Sequence, residues 1–282
     1  MKYIKNQFAK VFFLFLVISL IVTGMLKLAD HDFIYSLSIL FGCSSPAPLT
    51  LKICFFMFVI IEVQDVTKSF KGATVLRQIN ISFEKGKIHG IIGRNGSGKT
   101  VLIKTICGLI HPDQGKVIVD GKVIGKDVDF PESIGAIIEA PGFLPSVSAF
   151  RNLSYLASLR GRIGRDEIRA AISFVGLDPD DKKAVGKYSL GMKQRLGLAQ
   201  AIMEDPDILL LDEPMNGLDN SGVSEMRNYL LQLREKGKTI LLISHSIEDI
   251  NTLCDTVHEM DHGVLTEKEH ISSECLDHNL KN

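Results

Sequence analysis

Over residues 61–70, and again over 75–83, apolar and β-branched residues crowd into two short runs parted by Lys71-Gly72, which predicts two strands joined by a turn. The run 87–92 predicts a third strand, 115–124 a hairpin around Asp120-Gly121, and 134–138 a further short strand. The period then changes. Over 149–159 and 166–175 apolar residues recur at three- and four-residue spacing, the pattern of helices packed along one face. A third helix is predicted over 189–203, with Ser189 as its N-cap. After Pro206 the pattern alternates: strand 208–211, helix 221–235, strand 239–243, helix 246–254. Strands alternating with helices predict an α/β fold with a parallel sheet that binds ligands at the strands' carboxyl ends. The helical stretch in the middle reads as an inserted subdomain.

The most specific chemistry lies between the third strand and the helix after it. Residues 93–100 read Gly93-Arg94-Asn95-Gly96-Ser97-Gly98-Lys99-Thr100, a complete G-x-x-x-x-G-K-[ST] phosphate loop in its strand–loop–helix context. The glycines let backbone N–H groups turn toward phosphate oxygens, and the helix N-terminus adds its positive dipole end. Lys99 reaches the β- and γ-phosphates and Thr100 offers its hydroxyl to Mg²⁺. ATP and Mg²⁺ are the expected ligands.

Ile208-Leu209-Leu210-Leu211-Asp212-Glu213-Pro214 is an apolar strand ending in two carboxylates. Four apolar residues in a row predict a strand covered on both faces. Asp212 is placed to hold Mg²⁺ and Glu213 to act as base for the attacking water. By itself such a pair reads as a solvated acidic turn; the phosphate loop tips the balance.

Tyr188-Ser189-Leu190-Gly191-Met192-Lys193-Gln194-Arg195 decides among triphosphate-binding classes. With this segment the chain resembles the nucleotide-binding subunit of ATP-binding-cassette (ABC) transporters. In that family the serine and glycine open a helix whose N-terminus caps the γ-phosphate held by a second subunit. Three positions depart from the usual Leu-Ser-Gly-Gly-Gln: Tyr188, Leu190 and Met192. The resemblance covers about residues 61–265. It implies a phosphate-loop NTPase fold with a mainly parallel core sheet, an antiparallel β subdomain and a helical subdomain at about 140–200.

The same resemblance assigns four smaller elements. Asn216-Gly217-Leu218-Asp219 matches the dimer-contact loop, His245 the switch histidine at the γ-phosphate, and Phe70 the aromatic that stacks on adenine. Burial in a strand core is the rival reading for Phe70. Glu139 stands where most relatives carry a glutamine that senses Mg²⁺ and γ-phosphate. A carboxylate there needs Mg²⁺ or a nearby cation to compensate it. Glu139 and the 188–195 segment together resemble the bacitracin-resistance and lantibiotic-immunity branch, whose ATPases drive export of antimicrobial peptides through separate membrane subunits. Phe143-Leu144-Pro145 is then either a surface for the membrane subunit or packing under the helical subdomain. Lys68 and Lys71 read as solvated charges near a turn.

The implied enzyme is an ATPase on the cytoplasmic face of a membrane, working with a second ATP-binding subunit (identical or a paralogue) and an integral membrane permease. The alternative is a soluble cassette ATPase acting on ribosomes or nucleic acid. A net charge of −1 gives no basic footprint for nucleic acid. Cys43, Cys54, Cys107, Cys254 and Cys275 form no paired spacing and read as inert thiols in a reducing compartment.

Residues 1–56 stand apart as an apolar extension. The uncharged run 11–26, preceded by Lys2, Lys5 and Lys10, is at the short edge for a membrane span and long for a signal-peptide core. Those lysines would hold the amino terminus inside and send the phosphate loop outside, away from ATP. A start at Met57, leaving 57–282 as the ATP-binding domain, resolves the conflict.

Overall fold

The computed structural model describes residues 59–139 and 142–268. The apolar run 11–26, the alternative start at Met57, and Ala140-Pro141 lie outside them.

Two sheets form. The first is antiparallel, in the order β2 (Ala73–Glu84), β1 (Val59–Phe70), β4 (Gln114–Val119), β5 (Lys122–Val123). The second runs β10 (Val264–Lys268), β9 (Thr256–Asp261), β3 (Ile88–Ile92), β8 (Thr239–Ile243), β7 (Ile208–Asp212), β6 (Ile134–Ile137). Its pairs from β9 to β6 are parallel, as the alternating pattern predicts. β9 and β10, by contrast, form an antiparallel hairpin that the periodicity did not reveal, so the sheet is mixed.

The all-apolar strands are covered on both faces. Ile208, Leu210, Leu241 and Ile243 pack with Leu102, Ile103 and Ile106 of α1 (Lys99–Ile106) and with Ile61 and Phe83 of the antiparallel sheet. Leu209, Leu211, Ile240 and Leu242 belong to a second core. That core includes Leu196 of α4 (Leu190–Ile202), Leu230 of α5 (Asn220–Glu235) and Leu253 of α6 (Ile247–Leu253). Each fully buried aliphatic side chain contributes roughly 2 kcal/mol. Both faces thus hold β3, β7 and β8 rigid where their carboxyl ends meet the phosphate loop.

The inserted helices are α2 (Ala149–Arg160), α3 (Arg165–Phe174) and α4. Ser148 caps α2, its hydroxyl accepting from the Arg151 N–H. Leu153, Ile168, Ile172 and Tyr188 are buried among these helices. Tyr188, the first departure from the family's usual segment, is therefore a core residue, 5% exposed. Among the described residues no helix is long and apolar enough to cross a membrane.

Candidate functional site

The phosphate loop is wedged between β2 and β9, and two of its glycines are sterically required. Gly93 has φ 142°, and a Cβ there would lie 2.1 Å from the Met260 carbonyl oxygen. Gly98, the N-cap of α1, has φ 116°, and a Cβ would lie 2.9 Å from the Val75 carbonyl oxygen. Arg94, Asn95 and Gly96 are exposed, whereas Ser97, Gly98 and Lys99 are buried. The Gly263 N–H donates to the Ser97 carbonyl at 3.1 Å, tying the loop to the turn between β9 and β10. The Ser97 Oγ is buried with no hydrogen-bond partner among the described residues. Lys99 bends back over the loop, its Nζ donating to the carbonyls of Gly93 at 2.6 Å and Arg94 at 2.9 Å. Burial pushes this ammonium's pKa down, and the charges of Glu213 and Asp212 oppose that shift. An ammonium lodged on loop carbonyls is poised to trade them for phosphate oxygens.

The acidic end of β7 meets the loop directly. Thr100 Oγ1 donates to Asp212 Oδ2 at 2.7 Å, joining α1 to the strand end. A hydroxyl and a carboxylate are hard oxygen donors. That suits Mg²⁺, which takes one or two protein oxygens and completes its shell with water and phosphate. Glu213 has φ 51°, and its N–H donates to the Ile243 carbonyl at 3.0 Å, fixing it against the end of β8. His245 Nε2 lies 3.0 Å from Glu213 Oε1. Burial, then the Asp212 charge, raises the Glu213 carboxyl to a pKa of about 7. Burial, then Lys99, lowers His245. An acid tuned close to neutrality beside a histidine is suited to taking a proton.

The remaining predicted residues occupy distinct positions. Ser189 caps α4 as predicted, its Oγ accepting from the Met192 N–H at 3.2 Å. Asp219 caps α5, accepting from the Gly222 N–H at 2.9 Å, and this bond lowers its pKa. A Cβ on Gly191 would lie 3.4 Å from Leu218, so the 189–191 turn packs on the loop before α5. Phe70 ends β1 with 42% of its surface exposed, so it is not the core aromatic of the rival reading. Glu139 carries φ 62° and accepts from Lys104 Nζ at 2.6 Å. Lys68 is not the solvated charge expected: it pairs with Asp113 at 2.8 Å, its ammonium 5.4 Å from the Phe70 ring centroid. Phe143 packs against the core, which is the packing reading for this residue, whereas Leu144 is 53% exposed.

Several supporting residues carry no motif and were missed. Asp113 also accepts from the Ser69 N–H at 2.7 Å, steadying the end of β1 that bears Phe70. Asp249, 2% exposed, accepts from Ser244 Oγ and from Arg227, bracing the turn that presents His245. Asn152, 4% exposed, holds the 144–148 loop through its amide. Their partners lie several to many residues away, so local pattern could not reveal them.

Comparisons with known proteins identify the family. The ABC transporter family model matches residues 76–216. The chain is 47% identical to the uncharacterized ABC transporter ATP-binding protein YybJ of Bacillus subtilis, covering 75% of this chain and 97% of that protein. It is 42% identical to the bacitracin transport ATP-binding protein BcrA of Enterococcus faecalis, with 76% of this chain and 70% of that one covered. It is 34% identical to the lantibiotic transport ATP-binding protein SrtF of Streptococcus pyogenes, over 79% and 96%. Among solved structures it resembles cbiO1 of Clostridium perfringens, part of the ABC transporter complex cbiONQ. There the TM-score is 0.66 and the identity 27%, over 74% of this chain and 87% of that one. The chain belongs to the ABC transporter family, as its ATP-binding and ATP-hydrolysing subunit.

Proposed function

We propose that this chain hydrolyses ATP to power export of an antimicrobial peptide through a separate integral membrane subunit, from the cytoplasmic face of the membrane. The observation that carries the hydrolytic part is the 2.7 Å hydrogen bond from Thr100 to Asp212 beside Glu213 and His245. It unites the phosphate loop with an acid, a base and a histidine at adjacent strand ends. The cargo reading is supported by likeness to the bacitracin and lantibiotic transport proteins.

In this reading Gly93, Arg94, Asn95, Gly96, Ser97 and Gly98 cradle the phosphates with backbone N–H groups, and Lys99 shifts from its loop carbonyls to the β- and γ-phosphates. Phe70 stacks on the adenine. Thr100 and Asp212, with Glu139, would hold Mg²⁺, which would supply charge neutralisation at the phosphate oxygens. Glu213 accepts a proton from the attacking water, whose oxygen bonds to the γ-phosphorus as the bond to the ADP oxygen breaks. His245 contacts the γ-phosphate and orients that water. Ser189, Gly191 and Asp219 complete the site of a second subunit, an identical copy or a paralogue. Residues 57–282 form the ATP-binding domain, and 1–56 form an extension outside this mechanism.

Glu213→Gln tests the assignment. It should reduce steady-state phosphate release by at least about a hundredfold while an ATP-dependent dimer still elutes in size-exclusion chromatography. Undiminished turnover would remove Glu213 as the base. For the cargo, cells carrying the chain with its co-purifying membrane protein should tolerate more bacitracin or lantibiotic than cells carrying Glu213→Gln. Equal tolerance would discard the antimicrobial-peptide reading.

A further inference from the structure

Two acidic residues leave adjacent parallel strands in the same uncommon way. Ile137 of β6 stands in register with Leu211 of β7, so two residues further on the chains carry Glu139 and Glu213. Both have left-handed backbones, with φ 62° and 51°. A residue with a Cβ keeps that conformation only where its surroundings impose it. Their side chains then part. Glu213 stays beside His245, whereas Glu139 reaches to α1 and accepts from Lys104.

The place of Lys104 gives this contact meaning. Thr100 and Lys104 are four residues apart on α1, so they share one face, about 6 Å apart along the axis. Thr100 holds Asp212 at one level of that face, and Lys104 holds Glu139 one turn further from the phosphate loop. The Lys104–Glu139 pair is open to solvent, with the two side chains 30% and 66% exposed. Ion pairs this exposed are weak and easily exchanged. A neutral glutamine at 139 would have little hold on an ammonium; the carboxylate does.

Charge also makes the location of Glu139 consequential. Without a cation, a carboxylate near the γ-phosphate repels it; with a divalent cation, the carboxylate and the phosphate attract the same ion. We propose that Lys104 is a positioning residue that parks Glu139 one helical turn from the Thr100–Asp212 oxygens, and that Glu139 exchanges this ammonium for the divalent cation arriving with ATP. The inference rests on the proposed ATP site and adds Lys104 to it as the counter-charge that sets its metal dependence. Parked, Glu139 spares metal-free ATP its repulsion; released, it selects for the metal-loaded nucleotide.

The test is the affinity of the full chain for a fluorescent ATP analogue, measured once with excess Mg²⁺ and once with EDTA. Lys104→Met frees Glu139, so binding with Mg²⁺ should tighten and binding in EDTA should weaken. The ratio of the two affinities should then rise by about three- to tenfold. Glu139→Gln should lower the ratio, and adding Lys104→Met to Glu139→Gln should change nothing further. Lys104→Arg, which keeps the charge and the helix, should hold the ratio near its original value. A ratio unmoved by Lys104→Met, or moved equally in the Glu139→Gln background, would show a static surface pair and overturn the proposal. A chain that binds ATP with no metal dependence would overturn it too. A chain that binds no ATP at all would remove the underlying site, and this inference with it.

Discussion

Gly93 and Gly72 both have positive φ, 142° and 85°, yet only one has a neighbour where a side chain would go. At Gly72 an added Cβ meets nothing within 4 Å, so alanine there costs only its conformational preference, about 1 kcal/mol. At Gly93 the same atom collides with the Met260 carbonyl, so the loop or β9 must move. Gly93→Ala should therefore cost at least about 2 kcal/mol more than Gly72→Ala and weaken ATP binding. Urea unfolding and nucleotide titration of the two variants check this; equal midpoints and affinities would show that the loop is not wedged. The glycine pattern was legible in the chain because fixed spacing encodes backbone shape. The partners of Lys68 and Glu139 were not, since Asp113 and Lys104 reach them only through the tertiary fold.

β7 and β8 were easy to foresee, because strands buried on both faces read as continuous apolar runs. β9 and β10 escaped for two reasons. β10 is an edge strand of mostly exposed residues ending in Glu267 and Lys268. β9 turns His258 and Met260 inward, and a buried histidine breaks the apolar alternation that marks a strand. Thr256 Oγ1 bridges this histidine to β3, lying 2.7 Å from His89 Nδ1 and 3.2 Å from His258 Nε2, while His89 Nε2 sits 2.9 Å from the Glu84 carbonyl oxygen. Phe83 meets both rings edge-on. Burial, then the His89 charge, pushes His258 down to about 4, and burial lowers His89 as well, against the charges of Glu84 and Asp255. Depressed values mean that the neutral forms stabilise the fold above the unfolded-state value near 6.5, and that this is lost as pH falls toward 4. His258 alone contributes on the order of 3 kcal/mol over that window. Urea midpoints should fall steeply between pH 7 and pH 5, and less steeply in His258→Gln. Parallel slopes would mean that the histidine pair does not couple β3 to β9.

One chain supplies the phosphate loop, the acids and the histidine, yet Ser189 and Asp219 each spend their side-chain acceptor only on their own helix start. The leucine after Ser189 is 54% exposed, and a Cβ on Gly217 would lie 2.2 Å from its Cδ2, so the starts of α4 and α5 pack together as one patch. If that patch completes the site of a second copy, damage to it and damage to the phosphate loop must be separable between subunits. Lys99→Ala and Ser189→Arg should each abolish turnover alone. In a mixed pair, one site then carries both lesions and the other carries neither. Mixing equal amounts, with subunit exchange, should restore about a quarter of the wild-type rate, since half the pairs are mixed and each has one whole site of two. Phosphate release from the mixture measures this directly. Activity no greater than that of the separate variants would place Ser189 outside the partner's site, or show that both sites must be whole; a double-mutant chain mixed with wild type distinguishes these. Its mixed pairs hold two sites with one lesion each, so the trans arrangement predicts no activity from them, whereas sites closed within one chain would leave half.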